Sequence, residues 1–361
     1  MKFRKIVMLI VTLLSTLLVA TPGLASEFNF AVTPKPSENQ IDKQKTYFDL
    51  LLAPNQEDTL TVDLRNDTDK EVVVEAQIAS ATTNDNGVVE YSENKIKTDE
   101  TLKYNLKDYV EAPEEVTLKP QSAAEYKVKI HMPNEKFDGV IAGGITFKEK
   151  KSEQTNTSSD KNDKGLAIKN EYSYVVALLM RQTTENGDPD LKLQQVNPNQ
   201  RNARNIIQGN LQNPNATYLN QLATKTIITK KGSSDALYTD EQSEMQMAPN
   251  SNFNLSVPLK GERLKAGKYT MKIEAYGQKE ENGDFSFKAK GSQKEENYRY
   301  HWSLEKDFEI KADEAKKLND SDVTIKKDYT WIYLLIGLLL LIVLILFFVW
   351  RKKKNDKKAQ D

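Results

Sequence analysis

Between Lys136 and Lys150 the chain reads KFDGVIAGGITFKEK, in which Gly139 is followed, after four residues, by Gly144, Ile145 and Thr146. That is the spacing of a phosphate-cradling loop, where backbone N–H groups at a helix start converge on an anion and a lysine neutralises it. Ile145 stands in the lysine's place and ITFKEK alternates like a strand, so these glycines are expected to let a strand bend or pass close to another backbone. A second suggestive stretch is TTNDNGVVEYSE, which reads as a twelve-residue calcium loop with Asn84, Asn86, Gly87, Val89 and Glu93 in register. Thr82 takes the first position, where a carboxylate is needed, and the flanks VVVEAQIAS and GVVEYS alternate as strands rather than helices. A β-hairpin reversing at Asn86 and Gly87 accounts for the same residues.

Signals for catalysis are sparse. The two histidines, His131 and His301, are not spaced as a metal pair, and no G-x-S-x-G elbow occurs. S-x-x-K appears at Ser92 to Lys95 and at Ser158 to Lys161 without the companion S-D-N and K-T-G motifs of penicillin-recognising enzymes. Carboxylate neighbours such as Glu114 and Glu115 leave a wall-modifying hydrolase as the alternative to a binding protein, since spacing alone does not define a glycosidase pair. No catalytic residue, metal ligand or cofactor site is assigned, and ligand-binding residues stay unassigned. Asn-rich turns, Tyr91, Tyr104, Tyr109, Tyr218 and Tyr298, and the segment NYRYHW at 297–302 offer polar and aromatic contacts for sugars or a protein.

The elements that must position these groups read as strands almost throughout 28–312. Period-two alternation places Leu60, Val62 and Leu64 on one face, likewise Val72, Val74, Ala76 and Ile78, and likewise Tyr126, Val128 and Ile130. Further along, Phe253, Leu255, Val257 and Leu259 share a face, as do Tyr269, Met271, Ile273 and Ala275. Links such as APNQED, TNDNGV, NPNAT and ENGD carry the Asn, Gly, Asp and Pro of tight reversals. The expected fold is all-β: two immunoglobulin-like sandwiches followed by one transmembrane helix. KSEQTNTSSDKNDKG at 151–165 has nothing to bury and is expected to be a solvated hairpin loop. YSYVVALLMR at 172–181 suits a sheet centre beside FDGVIAGGITF, so the first domain is placed at 28–184 and the second at 190–312.

Both ends belong outside that fold. Residues 1–25 pair Lys2, Arg4 and Lys5 with an apolar run and small residues, the pattern of a signal peptide cleaved between Ala25 and Ser26. Residues 330–350 carry no charge and as a helix cover about 31 Å, one hydrocarbon core. Trp331, Tyr333 and Trp350 stand where interfacial aromatics are favoured, and the basic tail 351–361, with Arg351, Lys352, Lys353 and Lys354, is expected on the cytoplasmic side. Residues 313–329 read as a polar tether, which extended at ~3.3 Å per residue reaches about 60 Å. The net charge is −1 with both ends basic, so the part between them is acidic, which disfavours nucleic acid as a partner. The chain has no cysteine, which removes disulfides and thiolate chemistry.

The order of YFDLLLAPNQEDTLTVDLRNDTDKEVVVEAQIASATTNDNGVVEY, FDGVIAGGITF, YSYVVALLMR, RNIIQGNLQN, MQMAPNSNF, LKAGKYTMKIEA and WSLEKDFEI, closing on a span with a basic tail, resembles the WxL-interacting protein family of low-GC Gram-positive bacteria. The resemblance runs from about Phe30 to the C-terminus. It implies a peptidoglycan-binding first domain, and a second domain that engages WxL-domain surface proteins and host extracellular-matrix proteins. It also implies a domain boundary near 151–165, and it supplies no catalytic residues.

Overall fold

The computed structural model describes residues 28–150, 172–185, 187–326 and 330–358. Signal residues 1–25, with Ala25 and Ser26, lie outside the described residues, as does the loop at 151–165. The described chain falls into two compact units. The first contains the residues up to Asp190 together with Asn213–Leu219 and Gln246–Asn252; the second holds the remainder. Those two short segments fall inside 190–312, the range expected for the second domain.

Two sheets make the first unit's sandwich. One is ordered β1 (Ala31–Lys35), β3 (Glu57–Asn66), β9 (Ser122–His131), β7 (Val110–Glu111); the other is β2 (Phe48–Leu51), β11 (Ser173–Arg181), β10 (Val140–Glu149), β4 (Val72–Ser80), β8 (Glu115–Leu118). A small hairpin joins β5 (Thr82–Thr83) to β6 (Val89–Glu90). Alternation does the sorting. Antiparallel pairing sets Leu60 opposite Val128 and Val62 opposite Tyr126, so the apolar faces of β3 and β9 point inward together. They pack on Phe48, Leu50, Val74, Ile145, Phe147, Leu178 and Met180 from the other sheet, all buried. Tyr126 and Phe147 meet edge to face at 5.2 Å. β11 runs between two strands, antiparallel to β10 and parallel to β2, and is apolar on both faces because Val176, Leu178 and Met180 join the sandwich core while Leu179 packs in a second cluster with Val140, Ala142 and Ala248.

The second sandwich pairs a three-stranded sheet, β12 (Lys192–Arg201), β13 (Arg204–Asn213), β16 (Ser251–Pro258), with a five-stranded one. The latter is ordered β15 (Ala236–Met247), β14 (Leu219–Lys230), β17 (Gly267–Lys279), β19 (Glu296–Ile310), β18 (Phe285–Phe287). Phe253, Leu255, Val257 and Leu259 are buried, and so are Tyr269, Met271, Ile273 and Ala275, which are the two faces that the alternation marks.

After Ile310 the chain departs from the expected extended tether. Ala312–Ser321 forms a helix, α1, that packs on the second unit. Asn319, buried on it, accepts from the Asn205 amide (2.9 Å) and the Leu264 N–H (2.8 Å) and donates to the Leu264 carbonyl (2.9 Å). Asp322 caps the Asn205 N–H at 2.7 Å, the Val323 N–H donates to the Ala203 carbonyl, and Ile325 is buried. A second helix, α2 (Thr330–Lys358), contains Ile332–Val349, which is long and apolar enough to cross a membrane, with none of that stretch buried.

Candidate functional site

The glycine-rich stretch of β10 is structural. A Cβ on Gly143 would lie 2.1 Å from the Ala79 carbonyl oxygen, and one on Gly144 would lie 2.8 Å from that of Tyr91. Gly139, at φ +108°, would meet the Ala216 carbonyl at 2.1 Å, and the next N–H, of Val140, donates to that same carbonyl. No helix follows, so no anion cradle forms. The residues of the apparent calcium loop are equally occupied. The Asn84 side chain accepts from the N–H groups of Asn86 and Val88, Gly87 turns the hairpin at φ +68°, and Glu93 pairs with Lys107 at 3.1 Å. Among the described residues no cluster of three or more His, Asp and Glu is placed to hold a metal ion.

The other flagged residues disperse. His301 faces Glu274, Nε2 to Oε2 at 2.7 Å, and contacts Tyr276 and Phe285 on the second unit, while His131 ends β9 in the first. Glu115 pairs with Lys150. Ser158 and Lys161 lie outside the described residues. Tyr298 is buried, and Tyr300 stacks on Trp302 at 5.7 Å. Tyr91 and Tyr218 share a hydroxyl contact of 3.1 Å, and burial pushes the Tyr218 hydroxyl well above its ordinary pKa. Trp331, Tyr333, Trp350 and Arg351 to Lys354 fall on α2, where Tyr333 is exposed.

Two concavities in the first unit have the chemistry of a binding site, and they differ in how much of it is free. A polar cleft of about 160 Å³ is walled by Ser, Thr and Asn side chains that mostly bond one another. Thr83 meets Ser251, Ser80 donates to Asn105, Asn94 donates to Thr82, and Asn252 donates to Asp99. Two of these bonds, Thr83 to Ser251 and Asn252 to Asp99, hold segment 246–252 in place.

The larger cleft, of about 450 Å³, lies at one end of the sandwich, where three connections converge. The β2–β3 turn brings Asn55, held at φ +59°; the 3₁₀ turn Leu106–Asp108 brings Lys103 and Tyr104 from the segment before it and Tyr109 from its C-cap; and the end of β9 with the loop to β10 brings His131, Asn134 and Glu135. The walls are fixed by bonds outside the cleft's own chemistry. The Gln182 amide donates to the carbonyls of Pro133 (3.1 Å) and Glu135 (3.0 Å) and accepts from Phe137 N–H (3.2 Å). The His131 N–H donates to the Tyr109 carbonyl at 3.0 Å, and the Asn55 N–H to that of Pro133 at 3.3 Å.

Inside, the rings form a wall. Tyr104 lies 4.9 Å from Phe137 and 5.8 Å from Tyr109, and Tyr109 lies 5.2 Å from His131. Lys103 stands 4.9 Å over the Tyr104 ring and donates to Glu135 at 2.5 Å, which raises the lysine's pKa and lowers the carboxyl's. Burial raises the pKa of the Tyr109 hydroxyl, which keeps it a neutral donor at physiological pH. Tyr104 and Tyr109 were legible as surface aromatics. Asn55, His131, Asn134 and Glu135 were not, because their convergence depends on three loops far apart in sequence; HMPNEKF, an apolar and polar mixture between two strands, was the available signal.

Comparison with known proteins adds the family. The model described as WxL Interacting Protein, peptidoglycan binding domain, matches residues 30–149, and that described as WxL Interacting Protein, host binding domain, matches residues 163–320. No curated protein matches the chain. Among solved structures, the class 5 fimbriae chaperone CfaA is similar at 10% identity over 76% of this chain and 99% of its own, with a TM-score of 0.27. The E. coli chaperone DraB is similar at 15% identity over 79% and 98%, with a TM-score of 0.26. The CsuC-CsuE chaperone-tip adhesion subunit complex of Acinetobacter baumannii is similar at 10% identity over 63% and 90%, with a TM-score of 0.27.

Proposed function

The chain belongs to the WxL Interacting Protein family, and from that premise we propose that it is a membrane-anchored scaffold at the cell surface that binds and does not turn over its ligands. The first unit engages peptidoglycan. The second engages a WxL-domain surface protein, with host extracellular-matrix protein as a further ligand class. The α2 helix fixes both outside the membrane with the basic tail in the cytoplasm, following the usual bias of Lys and Arg. We place the first domain at 28–184, ending after β11, and the second at 190–312, with α1 continuing the second unit.

The observation that carries this reading is the pair of binding-domain matches, which together span most of the chain and precede an apolar helix of membrane-crossing length. The open, pre-shaped cleft beside the 3₁₀ turn supports it, since pre-formed concavities with a few convergent polar groups are where ligands bind. The test uses the full chain in detergent micelles with purified Gram-positive sacculi. The protein pellets with the wall and releases no soluble sugar over time; progressive release of sugar would make it a hydrolase, and failure to pellet would remove peptidoglycan as a ligand. Retention of a WxL-domain protein on immobilised full chain tests the second unit.

A further inference from the structure

We infer that the cleft between Asn55, Tyr104, Tyr109, His131 and Asn134 is the subsite that holds an uncharged N-acetylhexosamine ring of the glycan strand, rather than the peptide stem. This rests on the peptidoglycan reading above and deepens it. Three properties of the cleft select the ligand.

The first is its free hydrogen-bonding capacity. Among the described residues no hydrogen bond occupies the side-chain amides of Asn55 and Asn134, the His131 imidazole or the Tyr109 hydroxyl, although all four line the cleft. An amide both donates and accepts, and a hydroxyl does the same, which is the complement of sugar hydroxyls and an acetamido group. In the polar cleft on the same unit, by contrast, several of the Ser, Thr and Asn side chains are bonded to each other.

The second is the ring wall. A pyranose presents one face of C–H groups, and aromatic side chains with a polar tip cover such a face while still bonding at the rim. Tyr109 and His131, 5.2 Å apart and half-buried, supply a surface of that kind. The third is charge. Lys103 and Glu135 at the rim neutralise each other, so the one lysine lining this cleft is already paired rather than free for a stem carboxylate. His131 also lines a neighbouring depression with Glu57, Thr59 and Lys129, so a polymer can continue past the ring bound in the first. The loop bonds made by Gln182 fix the site before the ligand arrives, which removes part of the ordering cost.

The experiment titrates N,N′,N″-triacetylchitotriose, and separately the sugar-free stem pentapeptide, into the full chain in a zwitterionic, non-glycosidic detergent, alongside pelleting with sacculi. The wild type binds the chitotriose and not the pentapeptide. Tyr109→Ala and the exposed-loop change Asn134→Ala each weaken chitotriose binding by about tenfold or more, Tyr109→Phe, which keeps the ring and loses the hydroxyl, weakens it less than Tyr109→Ala, and Asn94→Ala in the polar cleft leaves it unchanged. Asn134→Ala removes no internal hydrogen bond, so its effect does not pass through unfolding. Pelleting with sacculi but no chitotriose binding, binding of the pentapeptide instead, or full binding by Tyr109→Ala and Asn134→Ala would each overturn this subsite and leave the wall-binding reading intact. Loss of wild-type pelleting would overturn the wall-binding reading itself.

Discussion

At the scale of single residues, close approach decides more than chemistry does. Gly143 is a glycine because the Ala79 carbonyl lies 2.1 Å, and Leu106 Cδ2 2.5 Å, from where a Cβ would stand. Gly143→Ala is therefore expected to destabilise the first unit by about 3 kcal/mol or more, because backbone rather than a flexible side-chain end must yield. Gly187→Ala, with nothing within 4 Å, is the matched control whose melting temperature stays unchanged. That reason was readable in part: the lost lysine and alternating ITFKEK excluded a phosphate loop, but only the fold shows which backbones the glycines admit. A second consequence concerns pH. Tyr126 is buried and donates its hydroxyl to the Pro113 carbonyl, and burial pushes its pKa up to about 12. The native state thus holds that proton more tightly than the unfolded chain, whose tyrosines titrate at about 10. The stabilisation is complete below pH 10 and is lost as pH rises towards 12, because there the unfolded state binds fewer protons. Denaturant midpoints measured from pH 9 to 12 are expected to fall for the wild type, and to fall less steeply for Tyr126→Phe.

At the scale of elements, the strands were legible because half-buried sheets repeat every two residues, and turn residues punctuated them. The helix α1 was not. ADEAKKLNDS is polar in composition and its buried positions, Ala315 and Asn319, lie one helical turn apart, so a hydropathy reading sees a tether. What holds it is hydrogen bonding, not oil. Asn319→Ala would leave the Leu264 N–H and carbonyl and the Asn205 amide without their partner, at about 1–3 kcal/mol for each buried group left unpaired. The expected outcome is local: hydrogen exchange over 312–326 speeds up while β17 and β19 keep their protection. Asp322 adds a pH dependence of the opposite sign to that of Tyr126. Burial opposes its ionisation, but hydrogen bonds from Thr324, the Asn205 N–H and the Thr324 and Ile325 backbone hold its carboxyl below the usual range. That contribution is present above the ordinary aspartate pKa and fades as the pH drops through the lowered one, so α1 is expected to loosen first on acidification.

At the scale of the whole molecule, the packed α1 changes where the second unit works. An extended tether over 313–329 would allow about 60 Å of reach at ~3.3 Å per residue. The chain instead stays packed to Ile325 and re-enters helix at Thr330, which leaves about 17 Å at ~3.3 Å per residue between them. With α2 in a bilayer, the second unit is then held against the lipid surface, and Val323, which is 70% exposed beside that junction, sits within reach of headgroups. Two measurements test this together. Deleting residues 330–361 is expected to move the protein from the membrane fraction to the soluble one with its thermal transition unchanged, since none of the apolar stretch Ile332–Val349 is buried by the fold. A photoreactive group at position 323 of the full chain in proteoliposomes is expected to label lipid, and an insertion of a long Gly/Ser linker between Lys326 and Thr330 to abolish that labelling. Equal labelling with and without the linker would mean that α1 lets go of the second unit, and that the short junction does not set the distance from the membrane.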